Sequence, residues 1–229
     1  MNNYLIKYDL SSFQLKQFEM YYELLVSENK KYNLTSIIDK KEVYIKHFSD
    51  SLEIINVIDF TQIATLCDIG SGAGFPGIPL KIKYPELKLF IVEANGKKAL
   101  FLKMVVDLLE LKDVYILNER SEELDFKYRD YFDLVVARAV SNLQILMEIC
   151  LPYVKVEGNF IAMKSSNYED EIEKSQKGLK KLKSSIFAIK LYTLDEEMGD
   201  RALIIISKNE KTSIDYPRRY AVIKKSPLK

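Results

Sequence analysis

From residue 63 onward the chain alternates short apolar runs with amphipathic ones, and that alternation restricts its fold more than any other feature. The segments ATLCDI, LKLFIVE, VYILNE, YFDLVVARA and NFIAMKS read as strands buried on both faces. Between them lie a short helix stopping at Tyr84-Pro85, then GKKALFLKMVVDLLEL and NLQILMEICLPYV, and a charged helix over residues 168–183 comes after the last strand. IFAIKLYTL and RALIIISK close the series as an antiparallel pair. Strands and helices in this rhythm predict an α/β, Rossmann-like domain with a mostly parallel sheet covered on both sides.

The organisation before and after that block differs. Phe13, Leu15, Phe18, Tyr21, Tyr22, Leu24 and Leu25 fall near helical spacing behind a cap at Ser11 or Ser12. A second helix is expected from near Asp39, carrying Val43, Ile45, His47, Leu52 and Ile55. Residues 1–60 are therefore read as an N-terminal helical extension, 61–208 as the α/β domain and 209–229 as a basic tail. The tail region holds Lys208, Lys211, Arg218, Arg219, Lys224, Lys225 and Lys229 against Glu210 and Asp215, and shows no core pattern.

With 34 basic and 33 acidic residues the net charge is only +1, so any nucleic-acid contact must come from charge placement. Two cysteines (Cys67 and Cys150) and one histidine (His47) cannot assemble a Cys/His zinc site, and no metal is expected. No leader-like start and no apolar run near the roughly 18 residues of a membrane span are seen. A cytoplasmic location without membrane contact is expected. Nothing suggests an obligate interface, so a monomer is expected.

The first strand ends in Asp68-Ile69-Gly70-Ser71-Gly72-Ala73-Gly74-Phe75-Pro76-Gly77, at the carboxyl edge where such sheets bind ligands. Gly72, Gly74 and Gly77 match the dinucleotide fingerprint, a weak signal alone. Asp68 redirects it. A pyrophosphate on a helix N-terminus is repelled by a carboxylate in the turn, whereas a ligand carrying an ammonium and a sulfonium is attracted. S-adenosylmethionine is such a ligand. Glu93, closing the second strand, can accept from both ribose hydroxyls, and Ser121-Glu122 after the third strand can line an adenine.

The methyl acceptor is narrowed by the residues just after the fourth strand. An exocyclic amine calls for an Asn/Asp-Pro-Pro-aromatic motif, but that place reads Ala137-Arg138-Ala139-Val140. Carbon methylation needs a cysteine nucleophile, and Cys67 and Cys150 read as core residues. A ring nitrogen such as guanine N7 needs neither device, only alignment. Arg138 is left with several readings: the cofactor, guanine O6 alone, a phosphate, or a helix carboxylate.

These motifs together resemble one family, the bacterial small-subunit rRNA guanine-N7 methyltransferases, also known as glucose-inhibited division protein B. The resemblance runs through Tyr32-Asn33-Leu34-Thr35-Ser36, His47 with Asp50-Ser51, DIGSGAGFPGIPL, Gly96-Lys97-Lys98, Ala137-Arg138-Ala139 and Lys164 in AMKS. It ends with Tyr216-Pro217-Arg218-Arg219 and Lys225-Ser226-Pro227-Leu228. It implies a class I S-adenosylmethionine-dependent methyltransferase with a seven-stranded sheet, acting on N7 of a guanine in 16S rRNA of the small ribosomal subunit.

Carried over by position, the cofactor set is Asp68, Gly70, Gly72, Gly74, Phe75, Glu93, Ala94, Asn95, Ser121, Glu122 and Arg138. Arg138 and Lys164 stand as the catalytic candidates, with no general base expected. His47, Lys97, Lys98, Arg218, Arg219, Lys224 and Lys225 form the RNA-facing set, although a lone helical histidine such as His47 is more often a packing element, and Lys97 and Lys98 equally fit ordinary solvation. Two other readings stay open: an NAD-dependent oxidoreductase, and a non-catalytic cofactor-binding ribosome factor.

Overall fold

A capping box starts the first long helix. Ser11 Oγ accepts from Gln14 N (3.2 Å) while Gln14 Oε1 accepts from Ser11 N (2.9 Å), and α1 runs over Ser12–Tyr32. The computed structural model describes residues 3–138, 141–165 and 168–228. Ala139 and Val140, which come after Arg138, and Lys229 of the tail lie outside the described residues. Of the apolar positions read on α1, Phe18, Tyr21 and Leu25 are buried, but Phe13 in the first turn is exposed.

The expected second helix begins where Asp39 Oδ1 accepts from Glu42 N (3.0 Å). It is not one regular α-helix: α2 (Lys40–Val43) passes into a π-helical turn at Tyr44–Ser49, then α3 (Asp50–Leu52) and a 3-10 turn at Glu53–Asn56. Such π segments concentrate at functional sites, and this one carries His47.

The alternating block folds as β1 (Thr65–Ile69), α4 (Gly77–Lys83), β2 (Lys88–Val92), α5 (Gly96–Leu108), β3 (Val114–Leu117) and β4 (Phe132–Arg138). It continues through α6 (Leu143–Cys150), β5 (Val154–Lys164), α7 (Tyr168–Lys181), β6 (Ser184–Thr193) and β7 (Asp200–Lys208). The expected seven-stranded, mostly parallel sheet is present, in the order β3-β2-β1-β4-β5-β7-β6. Its first five members are parallel, β7 runs antiparallel to β5, and β6 pairs antiparallel with β7. Pro152 ends the sixth helix earlier than its apolar run suggests, in a 3-10 turn at Leu151–Tyr153.

Strand pleating divides the core in two. Leu134, Val136, Ile161, Leu203 and Ile205 face α1, α4 and α5, while Val135, Ala137, Phe160, Ile204 and Ile206 face α6 and α7. The helical extension is held on the first face by polar side chains as well as apolar ones. Gln14 Nε2 donates to Ile82 O (2.7 Å), Gln17 Nε2 to Leu109 O (2.8 Å), and the Tyr21 hydroxyl to Ala73 O. Three residues one or two turns apart on α1 thus satisfy the carbonyls that end α4 and α5 and shape the glycine turn.

The tail departs from expectation. Lys208 is the last residue of β7, not an exposed cation: its ammonium is buried, donating to Leu151 O (2.7 Å), Val154 O (3.2 Å) and Asp130 Oδ1 (3.1 Å). Beyond it, α8 (Tyr220–Lys225) buries Ile223, and Leu228 is buried in the second core. Among the described residues no helix is long and apolar enough to cross a membrane.

Candidate active site

The sheet brings Asp68, Glu93, Arg138 and Lys164 to one edge because β1, β2, β4 and β5 all point their carboxyl ends there. Asp68 is fully buried. Its Oδ2 accepts from Ser71 Oγ (2.6 Å) and Gly77 N (2.8 Å), tying strand to helix, while Oδ1 has no hydrogen-bond partner among the described residues. Burial pushes the Asp68 carboxyl up to about 6, although Ser71, the Gly77 N–H and the Arg138 charge favour its ionised form. Gly72 has φ +62° and nothing within 4 Å of where a Cβ would stand, leaving the turn open to a ligand. Gly74, also at positive φ, has the Tyr21 hydroxyl in its Cβ position, so a side chain there collides with the anchor from α1.

Glu93 is oriented by two backbone donors: Gly72 N to Oε2 (2.9 Å) and Asn95 N to Oε1 (2.8 Å). The Asn95 side chain is engaged in capping α5, accepting from Lys97 N (3.0 Å) and Lys98 N (3.3 Å). Glu93, Gly70, Ala94, Ser121 and Glu122 line one cavity of about 320 Å³, with Ile69, Lys98, Arg120, Ile149 and Tyr220 also in its wall. Asp68 and Gly72 are not in that wall, but the unpaired buried Asp68 oxygen, the open glycine turn and the fixed Glu93 at the adjoining strand end together fit S-adenosylmethionine. Tyr220 and Arg120 carry no motif, which is why sequence reading missed them.

A second cleft, of about 340 Å³, shares no lining residue with the first. It is lined by Ile37, Lys46, His47, Asp50, Arg138, Met163, Lys164, Ser165, Glu171 and Arg201. Among the readings left open for Arg138, the geometry supplies the helix carboxylate. Nη1 donates to Asp50 Oδ2 (3.2 Å) and Lys46 O (3.1 Å), Nη2 approaches His47 Nδ1 (3.3 Å), and the guanidinium lies 5.0 Å from the Phe75 ring centre. Asp50 Oδ1 also accepts from the Tyr192 hydroxyl (2.7 Å) and lies 3.7 Å from Arg201 Nε, so one buried carboxylate holds two arginines and a tyrosine.

His47 stacks on Phe75 at 4.6 Å between ring centres. Its Nδ1 lies 3.1 Å from Lys46 O, a carbonyl that can only accept, as well as near Arg138 Nη2, and its Nε2 lies 3.0 Å from Thr35 Oγ1. Burial, reinforced by the Arg138 charge, pushes the imidazole down to about 3. His47 is thereby a neutral positioning element; both ring nitrogens are engaged inside the protein. Lys164 pairs with Glu171 Oε2 (2.7 Å) and donates to Ser141 O (2.8 Å).

The basic residues separate into two groups. Lys97, Arg219, Lys224 and Lys225 are exposed, and Lys98 is half-buried at the cofactor cavity. Arg218 is different: Nε and Nη2 donate to the Glu148 carboxylate (2.7 and 2.6 Å), which is itself fully buried on α6. The arginine expected among the RNA contacts is thus engaged within the protein, and releasing it would strand Glu148 without its charge partner.

The fold and the cavity under the glycine turn define a class I S-adenosylmethionine-dependent methyltransferase. Solved structures with that architecture include a SAM-dependent O-methyltransferase of Thermotoga maritima (TM-score 0.57, 18% identity, 82% of this chain and 72% of that one). Another is M. jannaschii TYW2 in complex with AdoMet (TM-score 0.54, 19% identity, 71% and 76%). The family model for rRNA small subunit methyltransferase G matches residues 14–201. Relatives named ribosomal RNA small subunit methyltransferase G are 45% identical in Staphylococcus carnosus, over 96% of this chain and 92% of the relative. In Halalkalibacterium halodurans the figure is 46%, over 96% and 94%. The chain belongs to the rRNA small subunit methyltransferase G family, and the oxidoreductase reading of its glycines is set aside.

Proposed function

We propose that the chain transfers the methyl group of S-adenosylmethionine to N7 of a guanine in 16S rRNA, with cofactor and base in adjoining cavities. The observation that carries this reading is Phe75. It belongs to the glycine turn, yet it stacks on His47 and underlies Arg138, two residues of the second cleft, so one buried ring ties the turn to that cleft.

When bound, the cofactor supplies a methyl group activated by its sulfonium charge. The protein's own residues then have three tasks. Asp68 and Glu93 hold the cofactor through its cationic end and ribose. Arg138 and Lys164, each partly neutralised by a carboxylate, present donors to the acceptor-side cleft and orient the base edge through O6. His47, neutral and backed by the Phe75 ring, gives the cleft an uncharged wall. Guanine N7 carries an in-plane lone pair, so no proton has to leave before attack. The carboxylates of the cleft suit that chemistry: both Asp50 oxygens and Glu171 Oε2 are engaged with protein donors. Lys97, Lys98, Arg219, Lys224 and Lys225 supply contacts to the RNA backbone outside the clefts, within an organisation of a helical extension over 1–60, a methyltransferase domain over 61–208 and a tail over 209–229.

The test incubates the protein with methyl-labelled cofactor and small subunits from a strain lacking the modification. The labelled rRNA is then reduced and cleaved chemically at N7-methylguanine. A single strong cleavage is expected; cofactor binding without label in the RNA would refute the assignment in favour of a non-catalytic ribosome factor. Binding to rRNA should also weaken with salt, and removing one phosphate-contacting lysine should lower the slope of log K against log salt by about one.

A further inference from the structure

We propose that Tyr220 is a cofactor-binding residue, and that Arg218 and Glu148 position it. The family model ends at residue 201, so nothing in that match reaches the tail. Yet Tyr220 lines the cavity of Gly70, Glu93 and Ser121, with the Arg120 guanidinium 5.7 Å from its ring centre. The tail is held against the sheet by an unusual latch for a segment that reads as a solvated arm. Arg218 grips the fully buried Glu148 through two nitrogens, and its backbone N–H adds a third contact to Oε1 (3.1 Å). Glu148 and Ile149 are neighbours on α6, and Ile149 lines the same cavity, so latch and cavity wall share one helical turn. Downstream, buried Ile223 and Leu228 fix the other side of α8. Tyr220 also lines a groove of about 690 Å³ in which Arg120, Arg219 and Lys224 stand with Glu122 and Glu123. Tyr220 therefore lines both the cofactor cavity and a second groove of mixed charge.

An aromatic ring at the mouth of a nucleoside cavity supplies a stacking or edge surface for the purine, a contribution that alanine removes. The inference rests on the cofactor occupying this cavity, so the test includes a variant that reports on placement alone. S-adenosylhomocysteine is titrated calorimetrically into the full chain and into Tyr220→Ala, Tyr220→Phe, Arg218→Ala and Glu93→Ala. Tyr220→Ala should raise Kd about tenfold and Tyr220→Phe less than about twofold, since the ring remains. Arg218→Ala should weaken binding through the displaced ring, and the double variant with Tyr220→Ala should add little beyond the single one, which a merely structural role would not produce. The chain has no tryptophan. Tyr220→Trp therefore introduces a sole indole, whose emission should change saturably with ligand even if the alanine variant folds poorly. An unchanged indole signal and an unchanged Kd for Tyr220→Ala, beside a weakened Glu93→Ala, would overturn the inference. A normal Kd for Glu93→Ala as well would show that the cofactor lies elsewhere, overturning the placement and the inference together.

Discussion

Cofactor affinity should depend on pH through Asp68. In the ligand-free protein burial raises this carboxyl to about 6, with Ser71, Gly77 and Arg138 acting in the opposite direction and Glu93 adding a like charge. The ammonium of the ligand's amino-acid end, which S-adenosylhomocysteine keeps although it lacks the sulfonium, favours the ionised carboxylate, so binding is strongest with the proton absent. With a pKa near 6 about nine-tenths of the sites are protonated at pH 5 and only a few per cent at pH 7.5. Affinity for S-adenosylhomocysteine should therefore fall about tenfold between pH 7.5 and pH 5, equivalent to ~1.4 kcal/mol. His47, another strongly shifted group of the site, titrates near 3 and stays neutral across that range. Asp68→Asn cannot ionise, so it should bind more weakly at pH 7.5 and with a flatter profile. The assay is calorimetric titration at pH 5, 6 and 7.5 at fixed ionic strength. A wild-type profile that is flat, or an Asp68→Asn profile as steep as the wild type, would refute the coupling.

His47 makes a separate prediction, on stability. Its folded pKa lies near 3, below the ordinary 6.5, so the unfolded chain binds the extra proton between those values. The stability linked to His47 is complete above pH 6.5 and is lost as pH falls toward 3, by at most ~5 kcal/mol; denaturant titrations of His47→Asn should show a shallower acid decline. Asp50→Ala removes the carboxylate shared by Arg138, Tyr192 and Arg201, and should cost about 3–5 kcal/mol by leaving buried groups unpaired. Methyl transfer should fall with it more than cofactor affinity does, measured by label incorporation beside calorimetry. Glu148→Ala strands Arg218 and should lower Tm by roughly 6–15 °C, while Glu148→Leu with Arg218→Met should recover most of that loss in a thermal melt.

Much of the fold was legible because it rests on periodicity. Val135 and Val136, or Ile204 and Ile205, point to opposite faces and are buried on both, so each strand reads as a continuous apolar run. The helical extension was legible as a helix but not in its docking. Gln14 and Gln17 look like solvent-facing residues on a helical wheel, and only the neighbouring carbonyl ends of α4 and α5 give them a purpose. The π-helical turn was not legible either, since an α-period fits His47 and its neighbours about as well.

The site divides along the same line. Its cofactor half sits on consecutive βα turns, where residue type and position relative to a strand carry the chemistry; Asp68, Gly72 and Glu93 could be named for that reason. The acceptor half is assembled from residues far apart in sequence, whose meaning lies in pairing. Tyr192 reaches Asp50 across 142 positions, and Arg201 enters because β7 turns back antiparallel beside β5. No spacing rule announces that a helical carboxylate will hold arginines from two strands. Yet that arrangement explains how cations can stand at the acceptor-side cleft. Asp50 offsets the cost of placing Arg138 and Arg201 side by side, and on the proposed placement of the base their shared carboxylate would keep both from swinging onto N7.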